Sequence, residues 1–549
     1  MFNPKYIFIS GGVVSGIGKG TVTASIGLLL KSAGFKVVLI KFENYLNLDA
    51  GTINPIEHGD VFLCDDGTEA DMDIGTYEKF LDQDMGKDNF VTMGQIYKTV
   101  IDKERRFEYE GEDVEAIPHV TDEIIQRILN ISKKNKADIV LVELGGTAGE
   151  YQNVFYYESS RLLNLRYPND VIHVHVSYVP TPKHLGEPKT KPTQLSVKIL
   201  NSMGIQPDFI IARAERFLDQ RRINRFAVFC NVLPDNIICN PDVSHPYEIP
   251  LVLNKQNLAE KILKRLKLPV KKPNLSSWKN LVEKILKKKS KKIIITIVGK
   301  YFGTGDYQLR DSYAALFDAI DHAAWAKDIE VETIWVDAEK VEKEGERVIG
   351  NPDGIIVPIG WGKRGAEGMI KAASYARKKK IPYLGLCYGM QLAVVAFARD
   401  VLGWKDANTT ENDPNTLHDV IHLIPKQEEI VKRRAYGGTM RLGAWQAKIK
   451  KDTLAYEIYK EEIVSERHRH RYEFNSKFTK EFESAGLVIS ALSVVENLAE
   501  MIELPKKLHP FYFGVQGHPE YKSRPFKPHP VFVNFIDACF KNKKALVKS

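Results

Sequence analysis

Three sets of residues have types and spacings that could do chemistry. The first lies in YIFISGGVVSGIGKG, Tyr6 to Gly20, where a β-branched and aromatic run leads into five glycines and Lys19, followed by apolar residues at helical spacing. Backbone N–H groups at a helix N-terminus hold phosphate, glycine lets the backbone close on the ligand, and a lysine adds a point charge. The stretch departs from G-x-x-x-x-G-K-[ST], because Gly20 intervenes between Lys19 and Thr21 and the interval from Gly12 to Gly18 is one residue too long. A glycine-rich turn with an exposed lysine is the plain alternative. The second set is YLGLCYGMQ, with Cys387 between Gly385 and Gly389 where an apolar run turns into a helical pattern. That is the layout of a nucleophile elbow, whose helix N-terminus favours thiolate. The third is FYFGVQGHPE, in which His518 could take and return a proton and Glu520 could orient its ring. Gly360 in VPIGWGKRG, at another strand end, offers a donor to an oxyanion. A buried structural thiol is the alternative for Cys387 alone. Three separate strand ends serving one mechanism favour the nucleophile.

These residues need elements to position them. The first half carries apolar strands at Phe35 to Ile40, Ile139 to Leu144, Val171 to Val176, Phe209 to Ile211 and Phe226 to Val232, with helical patterns such as VTDEIIQRILNIS between them. Alternating strand and helix predicts a parallel sheet covered on both faces. The alternation restarts at KKIIITIVGK, Lys291 to Lys300, and continues through IEVETIWVD, GIIVPIG, YLGLC and GLVISAL. Between the halves, LPVKKPNLSSWKNLVEKILKKKS combines proline, serine and a short basic amphipathic helix, which places the boundary near residues 269 to 290.

A chain of 549 residues is too long for one core, and about 150 residues per domain gives two to four units. Apolar residues at 44% and charged residues at 27% are those of a globular protein. The net charge of +8 is concentrated in lysine runs around residues 261 to 292. No aromatic platform is interleaved with them, so nucleic acid is not an expected partner. There is no run of 18 apolar residues and no signal peptide, so no membrane association and a cytoplasmic location are expected. The five cysteines are scattered without C-x-x-C pairs, against a zinc site or a disulfide framework.

Cys387, His518 and Glu520 resemble the class I glutamine amidotransferase domain, whose thiol hydrolyses glutamine to glutamate and ammonia. In addition NLDAGTINPIEHGDVFLCDDGTEADMDIGTYEKFL, ELGGTAGE, GEPKTKPTQLSVKILNSMGIQPDFI, FAVFCNV, GGTMRLGA and RHRHRYEFN occur in the order of the CTP synthase family, which the chain resembles over essentially its full length. The resemblance implies an α/β protein with a P-loop-like (Rossmann-like) parallel-sheet synthetase domain at residues 1–268, a linker at 269–290 and a flavodoxin-like glutaminase domain at 291–549. It implies that ATP phosphorylates O4 of UTP and that ammonia, passed internally, displaces the phosphate at C4 to give CTP. Mg²⁺ is implied as cofactor on Asp73 and Glu143, and GTP as allosteric activator with Arg441 as a candidate for communicating it. Ser15, Gly16, Ile17, Gly18, Lys19, Gly20, Thr21, Lys41 and Asp73 match nucleotide-binding positions. So do Glu150, Tyr151 and Gln152, the stretch Lys189, Thr190, Lys191, Pro192, Thr193 and Gln194, and Arg225, which stands where lysine is usual. Gly360, Tyr388, Gly389, Met390, Gln391, Glu411 and Arg471 match glutamine-binding positions. A homotetramer is implied, and some members of the family form filaments.

The sequence departs from the family pattern in places. Glu150, Tyr151 and Gln152 replace an acidic-apolar-acidic set, which puts feedback by CTP in question, and Leu195 replaces histidine. Glu43 and Asn44 replace Asp-Pro, Ile359 replaces a glycine beside Gly360, and Gly517 replaces phenylalanine, which is expected to loosen packing beside His518. Two other readings are an amidoligase acting on corrinoid carboxylates and a degraded homologue serving as a scaffold. KTKPTQ and HRHRYEFN speak against the first, and retention of Cys387, His518, Glu520, Lys19, Asp73 and Glu143 against the second.

Overall fold

Near-continuous runs of Val, Ile and Leu have no polar face, so they are stable only with both sides of a sheet covered. In a computed structural model that describes residues 4–304, 307–308 and 310–548, the chain forms two units, Met1–Leu48 with Asp73–Leu286 and Asp49–Met72 with Lys287–Ser549. In the first unit such runs form β1 (Lys5–Gly12), β2 (Val37–Glu43), β3 (Phe90–Thr92), β4 (Ile139–Leu144), β5 (Val171–Tyr178), β6 (Phe209–Ala214) and β7 (Ile237–Pro241). They pair in parallel in the order β3-β2-β4-β1-β5-β6-β7. Central β1 therefore has β4 on one side and β5 on the other, and the loops after these three strands share one edge of the sheet, where doubly wound folds bind ligands.

The glycine-rich loop after β1 runs into α1 (Lys19–Ser32), capped by Gly18 at φ 83°. Gly16 also has a positive φ, 69°. Both glycines hold a backbone conformation that side chains resist. Gly20 has a different reason to be glycine: a Cβ there would lie 2.0 Å from Asp73 Oδ1. Two further helices matter below, α2 (Lys191–Ser202) and α3 (Gln220–Cys230).

Helix α3 corrects the expected strand at Phe226 to Val232. The Asp219 carboxylate caps it by accepting from Arg222 N at 2.9 Å. Phe226 and Cys230, four residues apart, are buried, whereas Val228 and Phe229 are exposed. Helical period and a cap thus outweigh the strand propensity of a short apolar run. The strand of this region is β7 instead. In the connector, the amphipathic helix is α4 (Ser276–Leu286). Its Trp278 is buried, donates Nε1–H to Tyr247 O at 2.8 Å and packs 5.1 Å from the Phe80 ring, so it belongs to the first unit's core.

The second unit contains β8 (Lys291–Gly299), β9 (Ile329–Asp337), β10 (Gly354–Val357), β11 (Tyr383–Leu386), β12 (Arg441–Ile449), β13 (Ile463–His470), β14 (Val488–Ser493), β15 (Ala499–Leu504) and β16 (Tyr512–Val515). Their order is β9-β8-β10-β11-β16-β15-β14-β12-β13, parallel from β9 to β16 and antiparallel beyond. Residues 49–72 join this unit through a hairpin of Val61–Leu63 and Glu69–Asp71. Among the described residues no helix is long and apolar enough to cross a membrane.

Candidate active site

Strand β11 ends at Leu386, and α5 (Tyr388–Phe397) begins one residue later, leaving Cys387 at the turn with φ 51° and ψ −104°. So tight a turn brings two backbones together. A Cβ at Gly385 would lie 2.7 Å from Gly389 C, and one at Gly389 would lie 1.9 Å from Val357 O. The flanking glycines are the condition for the elbow, and Cys387 N–H donating to Val515 O at 2.7 Å ties it to β16.

Just beyond β16, His518 Nδ1 lies 2.7 Å from Glu520 Oε1, and the ring stacks on Tyr521. His518 Nε2 is buried without a hydrogen-bond partner. Burial works to lower the His518 pKa, but the Glu520 carboxylate and Cys387 outweigh it and raise the value to about 10. The imidazole is held as a cation next to a sulfur that can become an anion. Because its pKa rises from the ordinary 6.5 to about 10, the stability that protonated His518 contributes is complete below 6.5 and is lost as pH rises through about 10. In Glu520→Gln that part of the pH dependence should disappear, as read by denaturant unfolding at several pH values between those limits. An unchanged slope in the variant would refute the ion pair.

The expected loosening beside His518 does not occur. A Cβ at Gly517 would already lie 2.8 Å from Glu466 Cβ, and His518 has 0% exposure.

A cavity of about 570 Å³ opens in front of the thiol, lined by Cys387, Gly360, Tyr388, Gln391, Glu411 and Arg471. These are the nucleophile and five of the seven residues expected to meet glutamine, without Gly389 and Met390. Gly389 is pressed against Val357, and Met390 is a core residue packed on Gly514. Backbone position explains both, since the first turn of α5 exposes only part of its circumference to the cavity.

The loop carrying Gly360 is clamped on its other peptide groups. Tyr313 OH donates to Ile359 O at 3.3 Å, Trp361 N donates to Tyr301 OH at 3.2 Å, and Gly362 N donates to Glu411 Oε1 at 2.7 Å. Lys300 Nζ donates to Trp361 O at 2.9 Å and also to Gly362 O, and lies 4.4 Å from the centre of the Tyr388 ring. Burial lowers the Lys300 pKa to about 8. Lys300 was not singled out in the sequence; its only signal is its place at the end of β8.

The opposite wall comes from far away in the chain. Gly51, Thr52, Ile53, Asn54 and Pro55 line the same cavity. They are held by two fully ion-paired arginines of β13: Arg467 donates to Asp65 and to Leu63 O, and Arg469 donates to Glu69 Oε1 at 2.6 Å and to Gly51 O at 3.0 Å. Arg471 donates to Tyr436 O at 2.7 Å and Thr439 Oγ1 at 2.8 Å. Arg441, the candidate for communicating GTP, is 5% exposed. Its guanidinium contacts His468 Nδ1 at 2.9 Å and Glu500 Oε1 at 2.7 Å, inside the unit rather than at a surface.

The first unit gathers the other expected set. Lys41 on β2 and Glu143 on β4 are register partners in neighbouring strands. Lys41 Nζ lies 2.6 Å from Asp73 Oδ2, 2.8 Å from Glu143 Oε1 and 3.0 Å from Glu43 Oε1. Burial opposes that ammonium, but the three carboxylates raise its pKa well above the ordinary value. Lys19 Nζ donates to Gly146 O at 2.6 Å. Its pKa is lowered, by burial first and by Lys41 second, against the opposing pull of Glu143, Glu43 and Asp73. Asp73 Oδ2 and Glu143 Oε1 both meet the Lys41 ammonium, and their hard oxygens are of the kind that suits Mg²⁺ held by one or two carboxylates with phosphate and water. Among the described residues no group of three or more metal-ligating side chains is found.

Ser15 and Gly16 are exposed in the loop, Thr21 is half-buried, and Ile17 is turned inward. In the loop after β4, two departures from the family pattern meet: Asn44 Nδ2 donates to Glu150 Oε2 at 3.1 Å and to Gln152 Oε1 at 3.3 Å. Thr147 N donates to Glu150 Oε1 at 2.8 Å, and Tyr151 is 96% exposed. In the loop after β5, Lys189 pairs with Glu187, Lys191 is exposed at the start of α2, Pro192 follows it, and Gln194 Nε2 donates to Thr190 Oγ1 at 3.0 Å. Thr193 points into the core, where it accepts from Ser177 Oγ at 2.9 Å. Arg225 is exposed on α3.

Residues 5–268 match the family model described as CTP synthase N-terminus, and residues 308–538 match glutamine amidotransferase class-I. A protein named CTP synthase from Caldanaerobacter subterraneus subsp. tengcongensis is 47% identical over 541 residues, 98% of this chain and 99% of the relative. One of that name from Pyrococcus furiosus is 47% identical over 98% of both chains. Another, from Sulfurisphaera tokodaii, is 49% identical over 97% of this chain and 99% of the relative.

Proposed function

The chain belongs to the CTP synthase family, and from that premise we propose which of its residues carry the glutamine-dependent amination of UTP to CTP. In the glutaminase reaction Cys387 Sγ, its proton already resting on the His518 imidazolium, attacks the amide carbon of glutamine as thiolate. Glu520 keeps the imidazole oriented and charged. The Gly360 N–H, its neighbours being clamped, is the peptide donor available to the oxyanion. His518 returns the proton to the leaving nitrogen, ammonia departs, and water then cleaves the thioester to glutamate. Glu411, Arg471, Tyr388 and Gln391 hold the substrate's polar ends in the cavity.

The synthetase reaction belongs to residues 1–268 apart from 49–72, with 269–290 as connector and 291–549, joined by 49–72, as glutaminase. Lys19 and the N–H groups of Gly16 to Thr21 hold the ATP triphosphate at the head of α1. Asp73 and Glu143 would hold Mg²⁺, which supplies charge neutralisation on the phosphates when bound. Lys41 keeps those carboxylates together. Phosphorylation of the UTP O4 oxygen makes a leaving group that ammonia displaces. Glu150, Tyr151 and Gln152 with Lys189, Lys191, Gln194 and Arg225 are the contacts assigned to the pyrimidine nucleotide. Activation by GTP, a homotetramer and a cytoplasmic location follow from the family resemblance.

The single observation behind this reading is the elbow thiol beside a charged His518–Glu520 pair. An absorbance assay of UTP to CTP conversion with ATP and Mg²⁺, run with glutamine and then with ammonia, each with and without GTP, tests it. Conversion with both nitrogen sources is expected, and GTP should raise only the glutamine-driven rate. No conversion with either source would refute the assignment.

A further inference from the structure

The sulfur of Cys387 has a neighbour that the scheme above leaves unused. Gln516 is 1% exposed, and its Nε2 lies 3.7 Å from Cys387 Sγ. A side-chain amide has a donating end and an accepting end, and which of them meets the sulfur decides whether it helps or opposes an anion there. Here the polarity is set by a chain of bonds that starts at a group with no choice. The Tyr472 backbone carbonyl can only accept, so the end of Gln391 that lies 2.9 Å from it is the NH₂. That same nitrogen lies 3.2 Å from the Gln516 side chain, which therefore presents its oxygen. The NH₂ of Gln516 is left facing sulfur.

We propose that Gln516 is a catalytic residue of the glutaminase: its amide donates a hydrogen bond to the Cys387 thiolate, and the Tyr472 carbonyl, acting through Gln391, keeps that amide turned to donate. The sulfur also lies 4.0 Å from the Arg469 carbonyl. A thiol can donate to that oxygen, but a thiolate gains nothing from it. With the proton on His518 Nε2 and the sulfur charged, the Gln516 N–H adds to the imidazolium an interaction that favours the thiolate. Its backbone is fixed for the task, with Gln516 N donating to Glu500 O at 2.8 Å. Gln391 and Tyr472 also line the cavity, so bound glutamine touches the chain that orients the donor. The inference rests on Cys387 as nucleophile, a reading that fails separately if Cys387→Ala still hydrolyses glutamine.

Two variants of the full-length protein test it. Gln516→Met keeps length and removes the donor, and Gln516→Glu keeps shape and puts a carboxylate oxygen against sulfur. The readouts are the pH profile of Cys387 alkylation by iodoacetamide, located by peptide mass spectrometry, and kcat and KM for glutamine hydrolysis. Synthesis from ammonia is the folding control. In Gln516→Met the alkylation profile should move to higher pH and kcat should fall about 10-fold, the scale of one hydrogen bond to a charged group. KM should change far less, and Gln516→Glu should be the more damaged. A wild-type alkylation profile with wild-type kcat in Gln516→Met, or a fully active Gln516→Glu, overturns the proposal. Should Gln516→Met fail to fold, Gln391→Met frees the amide to turn and must by itself move the profile the same way; no movement there overturns it too.

Discussion

Cys387→Ala will make no CTP from glutamine and will still make it from ammonia. The sulfur is the atom that forms the thioester, so its loss removes the covalent route, and the glutamine-driven rate should fall by about 10⁴-fold or more. The substitution is mild for the fold. Cys387 already has φ 51°, and its N–H bond to Val515 O uses backbone alone. The ammonia reaction needs only the nucleotide site of the first unit, whose Lys19, Lys41, Asp73 and Glu143 have no part in glutamine hydrolysis. Ammonia should be supplied at a pH where enough of it is unprotonated, and the two rates followed by the absorbance change from UTP to CTP. Equal losses with both nitrogen sources would show that the thiol supports structure rather than chemistry.

Lys19→Ala, by contrast, should abolish both routes. Lys19 is half-buried near a second ammonium, that of Lys41, and donates to the Gly146 carbonyl at 2.6 Å. In the proposed site its charge is the one that would meet a triphosphate at the head of α1. Removing one preorganised donor to developing phosphate charge costs about 10²–10³-fold, and loss of ATP affinity adds to that. ATP-dependent CTP formation with saturating ammonia measures the effect free of the glutaminase. A Lys19→Ala protein that turns over ammonia normally would remove Lys19 from the phosphate site. Lys41 makes a poorer probe of catalysis. It neutralises Asp73, Glu43 and Glu143 at once, and taking it away leaves the buried Glu43 and Glu143 without their ammonium counter-charge, which is strongly destabilising.

Local chemistry was legible in the sequence. The glycine-rich turn, the elbow and the His518–Glu520 pair depend on residues within a few positions of one another, and strand ends announce themselves through apolar runs bounded by glycine. The amphipathic helix of the connector was readable for the same reason. What was hidden depends on contacts between distant positions. Nothing in Asp65 or Glu69 points to Arg467 or Arg469 some 400 residues on. Thr193, Gly389 and Met390 sit inside motifs expected to bind ligand, but a helix turns part of each motif into the core. Gly20 looked like a flaw in a phosphate loop until the Asp73 carboxylate occupied the space a side chain would need. The FAVFCNV run was misread as a strand because its helical face shows only in Phe226 and Cys230, four apart, a period that seven residues barely reveal.

The incorporation of residues 49–72 into the second unit has a consequence for dissection of this enzyme. A fragment cut at the connector would carry the whole elbow yet leave Arg467, with 0% exposure, and Arg469 facing empty pockets where Asp65 and Glu69 had been. Its amide-hydrolysing machinery is therefore discontinuous in the gene. A free peptide spanning 49–72 is the piece that such a fragment would need added in trans.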